Sequence, residues 1–130
     1  MKARCIDHVT VATPDAAAAQ ATFRRHFGLP PTPAGGPGSS PGVAGSALAV
    51  GGARIVFVTP AAGTALAATL AADGEGMAGL CLEVACLDDA VEALRRAGVH
   101  FEVETSGGCR GVQVDPAAAH GVRLTLIERS

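Results

Sequence analysis

The chain has 130 residues, enough for one domain of ordinary size with a self-sustaining core and too few to require a second. Its formal net charge is -2 with one lysine against nine arginines, which excludes the broad basic face that nucleic acid or an anionic membrane demands. All four aromatic residues are Phe in a chain that is 48% hydrophobic, so the core has to be built from Ala, Val and Leu.

The segment Met1–Asp15 lacks the charged-then-apolar pattern of a leader, and the apolar run Ala61–Ala72 is shorter than the roughly 20 residues needed to cross a bilayer. A cytoplasmic protein is expected, with no membrane or nucleic-acid partner. The four cysteines, at positions 5, 81, 86 and 109, have neither C-x-x-C spacing nor paired histidines beside them. Reduced thiols are expected, not a zinc knuckle or a redox pair.

In chain order, Ile6–Ala12 (IDHVTVA) alternates around β-branched residues and runs into Thr13-Pro14-Asp15, which predicts a strand entering a helix. Thr13 is the candidate N-cap, and Pro14 suits the first helical turn. The helix Asp15–Phe27 ends at Gly28, a natural left-handed stop. Pro30–Gly45 is a Pro/Gly/Ser stretch unable to hold a regular helix or a central strand, so a loop with at most a short edge strand is expected. Strands at 46–50 and 53–59 follow, joined by Gly51-Gly52 in a tight hairpin.

Ala61–Asp73 is an Ala-rich, helical linker leading to Gly74-Glu75-Gly76 and a strand over 77–84. Leu87–Ala97 has Leu87, Val91 and Leu94 on one face and stops at Gly98, the clearest helix in the chain. Strands over 99–105, 111–115 and 122–128 complete the pattern, with turns at Ser106-Gly107-Gly108 and Asp115-Pro116. Each half thus reads β-α-β-β-β, a repeat of architecture with almost no repeat of residues.

Three segments carry a resemblance to a known family. IDHVTVATPD is similar to an opening strand of the form D-H-V-x-[IV]-A-x-P-D, GEGMAGLCLEV to G-E-G-I-H-H-[IV]-C-[FL]-E-V, and DPAAAHGVRLTLIER to H-P-K-S-A-H-G-V-L-[IV]-E-L-V-E. In this order the chain resembles the vicinal-oxygen-chelate (glyoxalase/bleomycin resistance/dioxygenase) superfamily, in its methylmalonyl-CoA epimerase-like branch. The resemblance implies an α+β fold, two βαβββ modules forming a curved mixed sheet around a cleft. It places module one at about 4–60, a linker at 61–75 and module two at about 76–129, all within a single domain 1–130, and it implies a homodimer.

Metal-using members hold a divalent cation through His, Glu or Gln, His and Glu on four strands. Carried over by motif, those positions are His8, Val56, Gly79 and Thr125, of which only His8 is a good donor. The resemblance therefore implies a degenerate site with no metal and no cofactor. One epimerase carboxylate would stand where Thr125 is, and the other just ahead of Gly42-Val43, where the chain has Ser39-Ser40-Pro41. Epimerisation of methylmalonyl-CoA loses its bases and its Lewis acid.

Strand alternation puts His8 with Thr10, Gly79 with Cys81 and Glu83, and Thr125 with Ile127, all expected to line the concavity. His8 is the candidate acid/base or hydrogen-bond donor, against a plain reading as a histidine bonded to a neighbour. Cys81 has no cation or helix N-terminus to activate it and reads as a buried small hydrophobe. Glu83 and Arg110 are a candidate polar pair or carboxylate clamp. His120 caps or bonds the turn before the last strand, and Arg24-Arg25 and Arg95-Arg96 complement helix C-termini. Two functions follow: a metal-independent binder of a small, largely apolar or acyl-type metabolite in the cleft, or an isomerase, epimerase or lyase on an acyl-CoA or polyketide-like substrate using His8.

Overall fold

The computed structural model describes residues 2–32, 44–106 and 109–128. Its chain divides into two compact units, and among the described residues one takes in 8–32 and 44–78, the other 2–7, 79–106 and 109–128. The expected loop at Pro30–Gly45 is described only at its ends, positions 33–43 lying outside, and so do Gly107 and Gly108 of the expected turn.

The first unit begins in the middle of β1 (Ala3–Ala12). Its β-branched residues lie parallel to β4 (Ala53–Thr59), in register from His8 opposite Arg54 to Ala12 opposite Val58. Parallel neighbours need a long crossover, and α1 (Ala16–Phe27) supplies part of it before β2 (Pro31–Thr32) and β3 (Ala44–Val50). β3 and β4 form the expected hairpin, with Gly51 at φ +57 where an L side chain would be strained.

Thr13 does not cap α1. That role falls to Asp15, whose carboxylate accepts from the Ala18 N–H at 3.1 Å. Thr13 turns inward instead, 2% exposed, and its hydroxyl donates to the Glu75 carboxylate at 2.7 Å. Gly28 ends the helix in the left-handed region, as expected.

α1 lays Ala16, Ala19 and Phe23 on Leu48, Ile55 and Phe57, with the Phe23 and Phe57 rings edge-on at 4.9 Å. The opposite face of the same strands buries Ala12, Ala47, Val56 and Val58 against Leu66 and Leu70 of α2 (Ala65–Asp73). Thr64 caps α2 by accepting from Ala67 N–H.

The second half of the chain repeats this topology. β5 (Gly76–Val84) leads through α3 (Leu87–Arg96) to β6 (Phe101–Ser106), β7 (Cys109–Val114) and β8 (Leu124–Ile127). β5 is parallel to β8, while β6–β7 and β7–β8 are antiparallel. Each half therefore sets its first strand parallel to its last, in the orders β1-β4-β3-β2 and β5-β8-β7-β6, an α+β arrangement with mixed pairing.

α3 buries Leu87, Ala90 and Leu94 on Val84, Val112, Val114 and Leu126. Its Cys86 N-cap makes no side-chain bond, but the Glu128 carboxylate accepts from the Leu87 N–H at 2.7 Å. Acidic Asp88 and Asp89 in its first turn and Arg95 and Arg96 in its last match the helix dipole. Before β8, Asp115 caps a short 3-10 turn, Pro116–Ala119. His120 takes the left-handed conformation at its end, the only non-glycine among the described residues to do so.

The first part of β1 belongs to the second unit. Lys2 C=O accepts from Ala85 N–H at 3.1 Å, and Arg4 and Cys5 both reach Glu83. Among the described residues no helix is long and apolar enough to cross a membrane.

Candidate functional site

In the first unit His8 is 3% exposed, and Thr10 stands opposite Val56 in the β1/β4 register. Val56 is itself 6% exposed within the apolar cluster under α2, so it presents methyl groups only.

In the second unit, Cys81 lies opposite Thr125 and Glu83 opposite Ile127, with Gln113 on the far side of Thr125. Register partners share a face, so Cys81, Glu83, Thr125 and Gln113 look away from the α3 core, which is built from the alternate residues Leu82, Val84 and Leu126. Cys81 is buried, Thr125 half-buried and Gln113 exposed. By register Cys81 and Glu83 share a face with Thr125 and Ile127; Gly79, half-buried, adds no side chain.

Alternation along β1 assigns Asp7 to the side away from His8. Both are buried, Asp7 at 8%, and an Asp7 carboxylate oxygen lies within 4.8 Å of the Cys81 sulfur. Asp7 thus reaches the Cys81–Thr125 face. The available signal was two consecutive ionisable residues inside a β-branched run.

Glu83 and Arg110 are not brought together. Arg110 bonds Asp88 at 2.8 Å, which holds its guanidinium above the ordinary range, while Glu83 lies 3.9 Å from Arg4 and 3.7 Å from the Cys5 sulfur. A salt bridge of exposed partners such as Arg110–Asp88 is worth little to stability. His120 is exposed on its turn, and Cys5, Cys81 and Cys86 are free thiols among the described residues.

Partial desolvation, and after it the Glu83 carboxylate, raise the Cys5 thiol above its ordinary range. A nearby anion disfavours the thiolate, so alkylation of Cys5 by iodoacetamide, followed by peptide mass spectrometry, rises with pH along a profile displaced upward from a free thiol. Glu83→Gln moves that profile down; an unchanged profile in the variant removes Glu83 as a cause.

The four positions carried over from metal-using relatives do not fit a four-donor cation site. His8 offers an imidazole, Val56 is packed in apolar contacts, Gly79 has no side chain and Thr125 gives a weak hydroxyl. Asp7 and Cys81 add a carboxylate oxygen and a thiol in the second unit, within 4.8 Å of each other.

The sequence model of the Glyoxalase/Bleomycin resistance protein/Dioxygenase superfamily matches residues 7–115, and the chain belongs to that superfamily. Among solved structures it is similar to methylmalonyl-CoA epimerase from Mycobacterium tuberculosis, at 25% identity and TM-score 0.86 over 98% of this chain and 89% of that one. It also shares the fold of Streptomyces coelicolor methylmalonyl-CoA epimerase in complex with 2-nitronate-propionyl-CoA, at 23% identity and TM-score 0.85 over 99% of each chain. A hypothetical protein from Bacillus halodurans has the same fold at 20% identity and TM-score 0.82, over 96% of this chain and 94% of that one. No curated protein matches the sequence.

Proposed function

We propose that this chain is a metal-independent member of its superfamily that binds a small acyl-type ligand, a coenzyme A thioester being the best-supported class. The observation that carries the reading is the pairing of an epimerase-like fold with Val56 and Thr125 at donor positions. Such a fold keeps a binding surface while lacking the Lewis acid and the second base. Cys81, Glu83 and Thr125 of the second unit contact the ligand in this reading.

Thermal unfolding with propionyl-CoA in chelator tests it. A ligand at about a hundred times its Kd adds roughly 2.7 kcal/mol of apparent stability, and the shift is the same with and without chelator. The purified protein carries no stoichiometric divalent metal, and chelator alone leaves Tm unchanged. Near one zinc or cobalt per chain by elemental analysis, lost in Asp7→Asn or Cys81→Ala, would overturn metal independence.

A second reading is an isomerase, epimerase or lyase with His8 as acid/base. It is favoured by the burial of Asp7 and His8 side by side, since buried ionisable groups concentrate where proton transfer occurs. It predicts solvent deuterium entering the carbon next to the thioester carbonyl, slowed about 10²–10⁴-fold in His8→Ala. Saturable binding without exchange leaves the binder. A homodimer accompanies either reading, and a monomer by light scattering at micromolar concentration counts against it.

A further inference from the structure

The first unit carries a groove of about 490 Å³ lined by Ala21, Arg24, Arg25, Gly28, Leu29, Pro30 and Pro31. Ala21, Arg24, Arg25 and Gly28 stand at i, i+3, i+4 and i+7, so a single stripe of α1 forms one wall. That wall is set apart from the stripe holding Ala16, Ala19 and Phe23, which packs on the strands. Ala21 and Gly28 have little or no side chain and leave the wall recessed between the two arginines. The opposite wall, Leu29 to Pro31, is apolar and stiffened by consecutive prolines.

Charge complementarity names the occupant. Arg24 and Arg25 are both exposed, no acidic residue lies within Ala16–Phe27, and neither guanidinium has an ion-pair partner among the described residues. The helix dipole accounts for cations at this end of α1 but not for a groove between them. Two guanidinium forks match the oxygens of a tetrahedral dianion, and the volume far exceeds that of a bare phosphate while suiting a group of nucleotide size. The prolines and Leu29 offer an apolar surface for its ring.

We propose that this groove binds a nucleoside phosphate, with Arg24 and Arg25 on the phosphate. The same chemistry comes from a free nucleotide or from the nucleotide end of a coenzyme A thioester. Only the second source rests on the acyl-ligand reading above.

Titration calorimetry of the full chain with adenosine 3′,5′-bisphosphate at low ionic strength tests the groove. Saturable binding is expected, weakened at least about tenfold in Arg24→Ala/Arg25→Ala and by added salt, with no saturation by unphosphorylated adenosine. Arg24→Gln/Arg25→Gln gives the same loss if the alanine pair disturbs the helix, and circular dichroism checks the fold. Equal binding by wild type and a folded double variant, or equal binding of adenosine, overturns the proposal.

Propionyl-CoA and propionyl-pantetheine separate the sources. Tighter binding of the first, abolished as a difference by the double variant, identifies the thioester's nucleotide end. Equal binding of the two thioesters beside arginine-dependent bisphosphate binding identifies a free nucleotide. If the bisphosphate binds through the arginines and neither thioester binds at all, the groove stands and the acyl reading falls. If the thioesters bind and the double variant changes nothing for any ligand, the acyl reading stands and the groove falls.

Discussion

Phe57→Ala lowers the unfolding free energy by about 3–5 kcal/mol, the range for removing a fully buried ring. Phe57 is 0% exposed and is the largest fully buried side chain among the described residues, wedged between Phe23, Ala16 and Leu48. The loss combines the ring's transfer out of water with the cavity left behind, because α1 is tied to the strands by Ala16 N–H donating to the Thr59 hydroxyl and Gln20 donating to Ala47 C=O, and resists settling into the gap. A further share comes from the edge-on contact with Phe23, a geometry worth about 0.5–1.5 kcal/mol beyond area. Urea unfolding measures it: a lower midpoint at unchanged slope is expected. Phe57→Leu restores part of the volume and recovers part of the loss. A fall below about 1 kcal/mol for the alanine variant means the site collapses freely, contrary to the packing described.

Leu126→Ala costs about 2–5 kcal/mol by the same logic in the second unit. Leu126 is 1% exposed and sits among Val84, Val112 and the α3 residues Leu87, Ala90 and Leu94. Its neighbour Ile127, 0% exposed, belongs to the opposite face of β8, so the two positions report on different surfaces. Leu94→Ala shares the cluster with Leu126→Ala, and the double variant loses less than the sum of the two, since one enlarged cavity replaces two separate ones. Strict additivity in unfolding experiments would place the side chains in independent environments and contradict the cluster.

Much of this was legible in the sequence because local chemistry and global fold agree. The period of Leu87, Val91 and Leu94, the glycine at 28, and the Gly51-Gly52 hairpin each act within a few residues, and each element appears where its pattern placed it. Failures came where distant residues decide. Thr13 reads as a cap on local grounds, yet Glu75, 62 positions away, draws its hydroxyl inward and leaves capping to Asp15. Glu83 and Arg110 read as a candidate pair, yet Asp88 at the start of α3 bonds Arg110 and Glu83 lies beside Arg4. Cys81 and Thr125 stand opposite one another because β5 and β8 keep plain register.

The division of β1 between two units bears on how the chain folds. Among the described residues, 8–32 and 44–78 cluster as one unit, and that unit is complete in sequence once β5 begins. The other unit joins residues 2–7 to 79–128, and its bonds from Ala85 to Lys2 and from Cys5 to Glu83 close loops of roughly 80 residues. Closing long loops is slow relative to forming local contacts. During synthesis, residues 2–7 therefore wait for the strands after position 78 to emerge. A folding experiment should show the α1 environment reaching its native signal before that of α3, with the amino-terminal strand engaged in the later phase.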